Sequence, residues 1–403
     1  MIHLSTNESF HFELLRTISH ARYFGADINE VLQAAGQIEA GNFESYYTEF
    51  NNLANRVNSQ ADQIDRTKYP VSAKDAYFRA SNYYRAADFF LHGNAEDPRI
   101  NDLWKKQTIA FDNAIALMTI PGKRVTLKGE SFDIPAIFYT ADGDHSNPKP
   151  TVIMGNGYDG SQEEMLHSCG FAALERGYNV ITYEGPGQPS VRRYQNLGFI
   201  AEWEKAVSPV VDYLGTLPEV DITRVALLGY SMGGWLCARA AAFEHRLAAV
   251  IAIDGVYDIY QAYSSVMGPQ LRALMETGDS NLVDTAVKGL MASGKAPTSL
   301  RWGIEQGLWS FAVDSVYEFM SRTKLMTLKG IENKISCPVW VGDAENDQFF
   351  EGQPRMVKDA LGEKATYVNL TDGDAAANHC HMGAGVLMNQ TIFDWFQDIV
   401  SKN

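Results

Sequence analysis

The sequence predicts an α/β fold, a mostly parallel sheet covered by helices and preceded by a separate helical segment. Three observations predict it. Up to about residue 120 the apolar residues recur with a helical period; from Arg124 they gather into short runs; and helix-like stretches separate most of those runs. Strands alternating with helices form parallel sheets buried on both faces, whose strands read as near-continuous apolar runs.

In the first segment Asp27 is placed to cap INEVLQAAGQI, and GNFESYYTEFNNLANRVNSQADQI continues on a helical period. The next helix is expected to open at Ser72, with Asp75 as its capping-box partner. Along it Tyr77, Ala80, Tyr84, Ala87 and Leu91 form one face. Such a stripe is ordinarily core; the tyrosines beside Arg79 and Arg85 also make it a candidate pocket lining. Then VTLKGESFDIPAIFYTAD alternates and turns at Gly129, as an antiparallel hairpin does. TVIMGNG, YNVITYEG, RVALLGY, LAAVIAIDG, CPVWVGD and ATYVNLTDG supply six further strands. Residues 257–336 interrupt the alternation with a largely helical stretch built around RWGIEQGLWSFAVDSVYEFM. A connection this long in a compact fold is expected to be a lid or substrate-binding insertion. The organisation expected is thus a helical cap over residues 1–120 and a catalytic domain over 121–403 carrying that insertion.

Composition narrows the partners. The 403 residues are 45% hydrophobic and 21% charged, with a net charge of −15. That balance opposes binding to a phosphate backbone or to an anionic membrane surface. Cys169, Cys237, Cys337 and Cys380 show no metal-ligand spacing, and the first three are expected as buried free thiols. No cofactor and no metal are expected. The N-terminus lacks a basic start followed by an apolar run, and no run is long enough to span a membrane, so a soluble, cytoplasmic protein is expected.

Chemistry is sought at the carboxyl ends of the strands, where open α/β sheets collect reactive groups. Behind RVALLGY, Ser231 stands between Gly229 and Gly233, and the Ala-rich WLCARAAAF follows. A serine between glycines on a strand-to-helix turn is the context in which a hydroxyl becomes an exposed nucleophile. It needs a base. Of the histidines after Ser231, His245 comes too early, whereas His379 and His381 lie in the loop after the last strand; His379 is preferred. Asp343, Glu345 and Asp347 compete to orient it, with Asp347 first and Asp343 second. The oxyanion of an acyl transfer would be held by the Met232 N–H and by one from Gly155-Asn156-Gly157-Tyr158-Asp159-Gly160, where Tyr158 is chosen.

These segments, with SAKDAYFRASNYYRAADFF, DPRINDLWKKQTIAF, GNGYDGSQEE, YEGPGQPS, DAENDQFFEGQP and ANHCHMGA, resemble the α/β-hydrolases that include 2,6-dihydroxypseudooxynicotine hydrolase, FrsA-like esterases and fungal polyketide-shortening hydrolases of pigment pathways. The likeness runs from about residue 70 to the C-terminus. It implies an α/β-hydrolase fold with an N-terminal helical cap, and hydrolysis of a carbon–carbon bond in a β-dicarbonyl or aryl ketone. Carried across, Ser231 is the nucleophile, Asp347 the acid and His379 the base. An extra acidic residue serving the leaving carbon has two candidates, Asp258 and Glu184. Tyr77, Tyr84 and Trp302 are expected to line an aromatic pocket that accepts a flat aromatic or polyketide substrate, and a homodimer is compatible with this reading. The competing readings are a cyclase or condensation catalyst on the same scaffold, a carboxylesterase, and last a non-catalytic binding protein.

Overall fold

In the computed structural model, which describes residues 2–401, the chain divides into two compact units. One comprises Met1–Gly122 with Pro297–Trp309, the other Lys123–Ala296 with Ser310–Asn403.

The first unit is helical: α1 (Glu8–Ser19), α2 (Ile28–Ala35), α3 (Phe43–Gln63), α4 (Pro70–Asp88) and α5 (Pro98–Ile115). Asn7, Asp27, Asn42 and Asp97 cap α1, α2, α3 and α5 by accepting backbone N–H groups left over in their first turns. The helix expected at Ser72 starts earlier, at Pro70. Proline at the first helical position loses no hydrogen bond and presets the backbone angle, and no side chain caps that end. Leu91 lies beyond the end of α4, so the apolar stripe stops at Ala87 within the helix. α4 packs between α3 and α5, and Phe10, Phe43, Tyr46, Phe50 and Phe90 gather into one aromatic cluster.

The second unit is an eight-stranded sheet ordered β1-β2-β4-β3-β5-β6-β7-β8. β1 (Lys123–Lys128) and β2 (Asp133–Tyr139) form the antiparallel hairpin, and β2 also pairs antiparallel with β4. β3 (Lys149–Gly155), β4 (Asn179–Tyr183), β5 (Val220–Tyr230), β6 (Ala249–Ile253), β7 (Val339–Ala344) and β8 (Ala365–Leu370) run parallel. The central β4 and β6 are buried at every residue, whereas β1 and β8 at the edges keep exposed positions. Covering helices are α6 (Gln162–Met165), α7 (Phe171–Glu175), α8 (Pro189–Gln195), α9 (Glu204–Leu214) and α10 (Gly233–Ala241).

The insertion between β6 and β7 holds α11 (Ile259–Met267), α12 (Pro269–Glu276), α13 (Ser280–Ala292), α14 (Thr298–Phe311) and α15 (Val316–Thr323). It does not belong to the sheet unit as a whole, because Pro297–Trp309 joins the helical one. There Trp302 stacks on Phe89 and Trp309 on the His92 ring, at centroid distances of 5.1 and 4.0 Å. α16 (Gln353–Leu361) and α17 (Gly385–Val400) complete the chain. Among the described residues no helix is long and apolar enough to cross a membrane, and all four cysteines are free and buried.

Candidate active site

β5 ends at Tyr230 and α10 begins at Gly233, so the chain turns from strand to helix across Ser231 and Met232. Ser231 has φ +60°, in the left-handed region that costs a residue with a Cβ about 1–3 kcal/mol. Glycines let the turn close. A Cβ on Gly229 would lie 1.9 Å from the Gly233 carbonyl oxygen, and one on Gly234 would lie 1.8 Å from that of Asp254. The Ser231 N–H donates to the Ile253 carbonyl and ties the elbow to the end of β6. Ser231 remains half-buried, whereas Met232, Gly233 and Gly234 after it are buried.

The loop after β8 brings His379 to this hydroxyl. Its Nε2 lies 2.9 Å from Ser231 Oγ, and its Nδ1 lies 2.9 Å from Asp347 Oδ2. Carboxylates accept and do not donate, so Nδ1 carries the proton and Nε2 is free to accept from the serine. His381 points elsewhere: its Nδ1 donates to the Ala376 carbonyl at 2.9 Å and its ring meets Trp340 edge-on. What separates the two histidines is a pair of left-handed residues, Cys380 and His381, each with φ 54°.

Of the three competing acids Asp347 alone faces His379. Its Oδ1 accepts the Phe349 and Phe350 N–H groups at 2.7 and 3.1 Å, and both rings pack against the imidazole. Asp343 accepts the Tyr367 hydroxyl, and Glu345 accepts the Asp372 N–H at 2.8 Å.

A second carboxyl, which the sequence reading did not weigh, also reaches His379. Asp254, wholly buried just past β6, places Oδ2 2.8 Å from Nδ1 and accepts the Cys380 N–H at 3.0 Å. Its signal was present in the sequence, an acid ending the strand run LAAVIAID. Burial alone would raise Asp254, but His379 together with His381 and Asp347 holds this carboxyl well below the usual range. Asp347 is pushed up, first by burial and then by the charge of Asp254. Burial would lower His379, yet the two acids hold it well above its ordinary value. Asp254, His379 and Cys380 are close enough together to ligate a cation. The donor chemistry opposes it: both imidazole nitrogens are engaged, and burial raises the Cys380 thiol far above the range in which it ionises.

The β3 loop passes over the elbow. A Cβ on Gly157 would lie 2.7 Å from the Tyr230 carbonyl oxygen and 2.8 Å from the Met232 nitrogen, so glycine here keeps the space before the Met232 N–H clear. The Tyr158 ring lies 5.3 Å from that of Tyr263, whose hydroxyl donates to Met232 Sδ at 3.2 Å. Tyr263, from the insertion, was also missed, because nothing in its local pattern separates it from core.

The other expected residues have partners of their own. Glu184 is fully buried and accepts the Gln162 and Ser190 N–H groups at 2.9 and 2.7 Å; burial, with Glu163 nearby, pushes its carboxyl up to about 7. Asp258 caps α11 by accepting the Gln261 N–H at 2.8 Å. Tyr77 and Tyr84 lie in the helical unit, donating to Asp62 and Asn55 at 2.8 and 2.9 Å. Trp302 is in the same unit.

Residues 155–387 match the model of the alpha/beta hydrolase family, and residues 31–269 match that of FrsA-like esterases. The chain is 30% identical to hydrolase LUC6 of a Fusarium species, over 96% of either chain. It is 31% identical to 20-hydroxy-prefusarin hydrolase FUS2 of Gibberella moniliformis, over 94% of this chain and 90% of that one. Among solved structures, 2,6-dihydroxy-pseudo-oxynicotine hydrolase superposes with a TM-score of 0.75 at 21% identity, over 94% of this chain and 95% of that one.

Proposed function

The chain belongs to the alpha/beta hydrolase family, and we propose that it is a serine hydrolase cleaving a carbon–carbon bond of a β-dicarbonyl or aryl ketone in a polyketide or aromatic secondary metabolite. The observation that carries this reading is the line of hydrogen bonds from Ser231 through His379 to Asp347. In it Ser231 attacks, His379 takes the hydroxyl proton at Nε2, and Asp347 holds the proton on Nδ1. The Met232 and Tyr158 N–H groups receive the negative charge that develops on the ketone oxygen. Collapse breaks the carbon–carbon bond and leaves its electron pair on a carbon stabilised by the second carbonyl or by the ring. The imidazolium of His379 returns the proton there, since both Glu184 oxygens are held by backbone N–H groups. Water then releases the acyl group from Ser231 by the same steps.

The name of the FUS2 relative, a hydrolase of 20-hydroxy-prefusarin, supports a secondary metabolite as substrate. Tyr158 and Tyr263 beside the elbow support a flat, unsaturated one. A carboxylesterase is the second reading, favoured by the FrsA-like match.

Incubation with a synthetic aryl β-diketone, with the products weighed, tests the proposal. Two fragments whose masses sum to substrate plus one water are expected, and Ser231→Ala should cost about 10⁴–10⁶ in kcat. Turnover of aryl esters alone would favour the esterase. A product of unchanged mass, or one water lighter, formed equally well by Ser231→Ala, would point to ring closure instead.

A further inference from the structure

Two carboxylates converge on one nitrogen at this site. Asp254 Oδ2 lies 2.8 Å and Asp347 Oδ2 2.9 Å from His379 Nδ1. Their supports differ. Asp347 follows β7 and is held through Oδ1 by the Phe349 and Phe350 N–H groups; Asp254 follows β6 and is held by the Cys380 N–H, on the residue next to the histidine. Each carboxyl is thus aimed independently at the same proton.

We propose that Asp254 is a second positioning acid of the site, interchangeable with Asp347 as acceptor of the His379 Nδ1 proton. The inference rests on Ser231–His379 being the reactive pair. Two ionised carboxylates side by side repel strongly when buried, and a pair in this situation retains one proton between them. The two carboxyls interact directly: His379 helps to hold Asp254 below the usual carboxylate range, while burial and the charge of Asp254 raise Asp347. So the pair presents a single negative charge to the imidazole. With both ionised, His379 would stay an imidazolium and could not take the serine proton. His381 and Asp343 are the other titratable groups that act on this pair, and the Cys380 thiol stays protonated. His381 is turned to Ala376 and Asp343 to Tyr367, so neither competes for Nδ1.

The arrangement departs from a single-acid triad in one measurable respect. Where one carboxylate orients the histidine, changing it to an amide leaves the wrong tautomer and costs about 10⁴ in rate. Here Asp347→Asn leaves Asp254 in place, so the Nδ1–H tautomer survives.

The experiment uses the full chain and two readouts. One is the rate at which a small fluorophosphonate modifies Ser231; the other is the far-downfield NMR resonance of the Nδ1 proton held by a carboxylate. Asp347→Asn and Asp254→Asn should each keep the resonance, and each should slow labelling by less than about 100-fold. The double substitution should abolish the resonance and slow labelling by about 10⁴-fold, a non-additive loss. Loss of the resonance in Asp347→Asn, with the full fall in labelling, would overturn the inference. That variant leaves the buried Asp254 untouched, so the outcome does not depend on the fold tolerating a change there. Failure of Ser231 to label in the unaltered protein would instead overturn the nucleophile reading, and the resonance would still report on the acid pair.

Discussion

Both units bury charge, and they do so in opposite ways. In the helical unit Glu13 faces two guanidiniums: Arg16 Nη1 lies 3.2 Å from Oε1 and Arg85 Nη1 3.9 Å from Oε2, with all three side chains nearly excluded from solvent. In the sheet unit one imidazole faces two acids. The first cluster is rich in fixed cations, guanidiniums that keep their protons under ordinary conditions. The second is built from groups whose protons can move at accessible pH. A buried guanidinium pair holds a shape; a buried surplus of carboxylate over imidazole costs stability and sets basicity. The difference marks which buried cluster is suited to chemistry.

The largest test of this contrast compares the two histidines of one turn. His379→Ala should lower turnover by about 10⁴–10⁶, as loss of a nucleophile's base does. His381→Ala should leave turnover nearly unchanged and cost about 1–3 kcal/mol of stability, from the Ala376 carbonyl left without its donor. Equal losses of rate would erase the distinction. Gly157→Ala comes next: its methyl would stand 2.8 Å from the Met232 nitrogen, and kcat should fall by about 10²–10³ with KM changing less. An unchanged kcat would remove the Met232 N–H from the oxyanion site. On rate the smallest effect belongs to the helical unit. Glu13→Gln removes the carboxylate that faces Arg16 and Arg85 and should lower unfolding stability by about 3–5 kcal/mol, with kcat unaltered below the melting transition. A fall in kcat without a fall in melting temperature would place that cluster in the chemistry after all.

The sheet was legible because each strand is a short apolar run with a turn signal at its end, and the elbow because no other residue fits where Gly229 and Gly234 stand. Between His379 and His381 the sequence offered a preference for His379 without the geometry that separates them. That geometry depends on left-handed backbone at Cys380 and His381, which neither residue type announces. Asp254 went unread for a different reason. Its strand was recognised, but a partner on a neighbouring strand end is a tertiary fact, and only the β7 carboxylates had been compared. The start of α4 was misplaced because a Ser-x-x-Asp pattern competed with a proline two residues earlier, and the proline prevailed. Tyr77 and Tyr84 could be assigned to a helix face but not to what that face meets.

The sharing of α14 between the units has a consequence for synthesis. The helix runs Thr298–Phe311, and Pro297–Trp309 belongs with Met1–Gly122, where Trp302 meets Phe89 and Trp309 meets His92. A ribosome adding about 5–20 residues per second therefore spends roughly 10–30 s making residues 123–296 before that last helix can appear. Through that interval the nascent helical unit waits with Phe89 and His92 uncovered. The helical unit can therefore be completed only after the 174 residues from 123 to 296, which belong to the other unit, have been made.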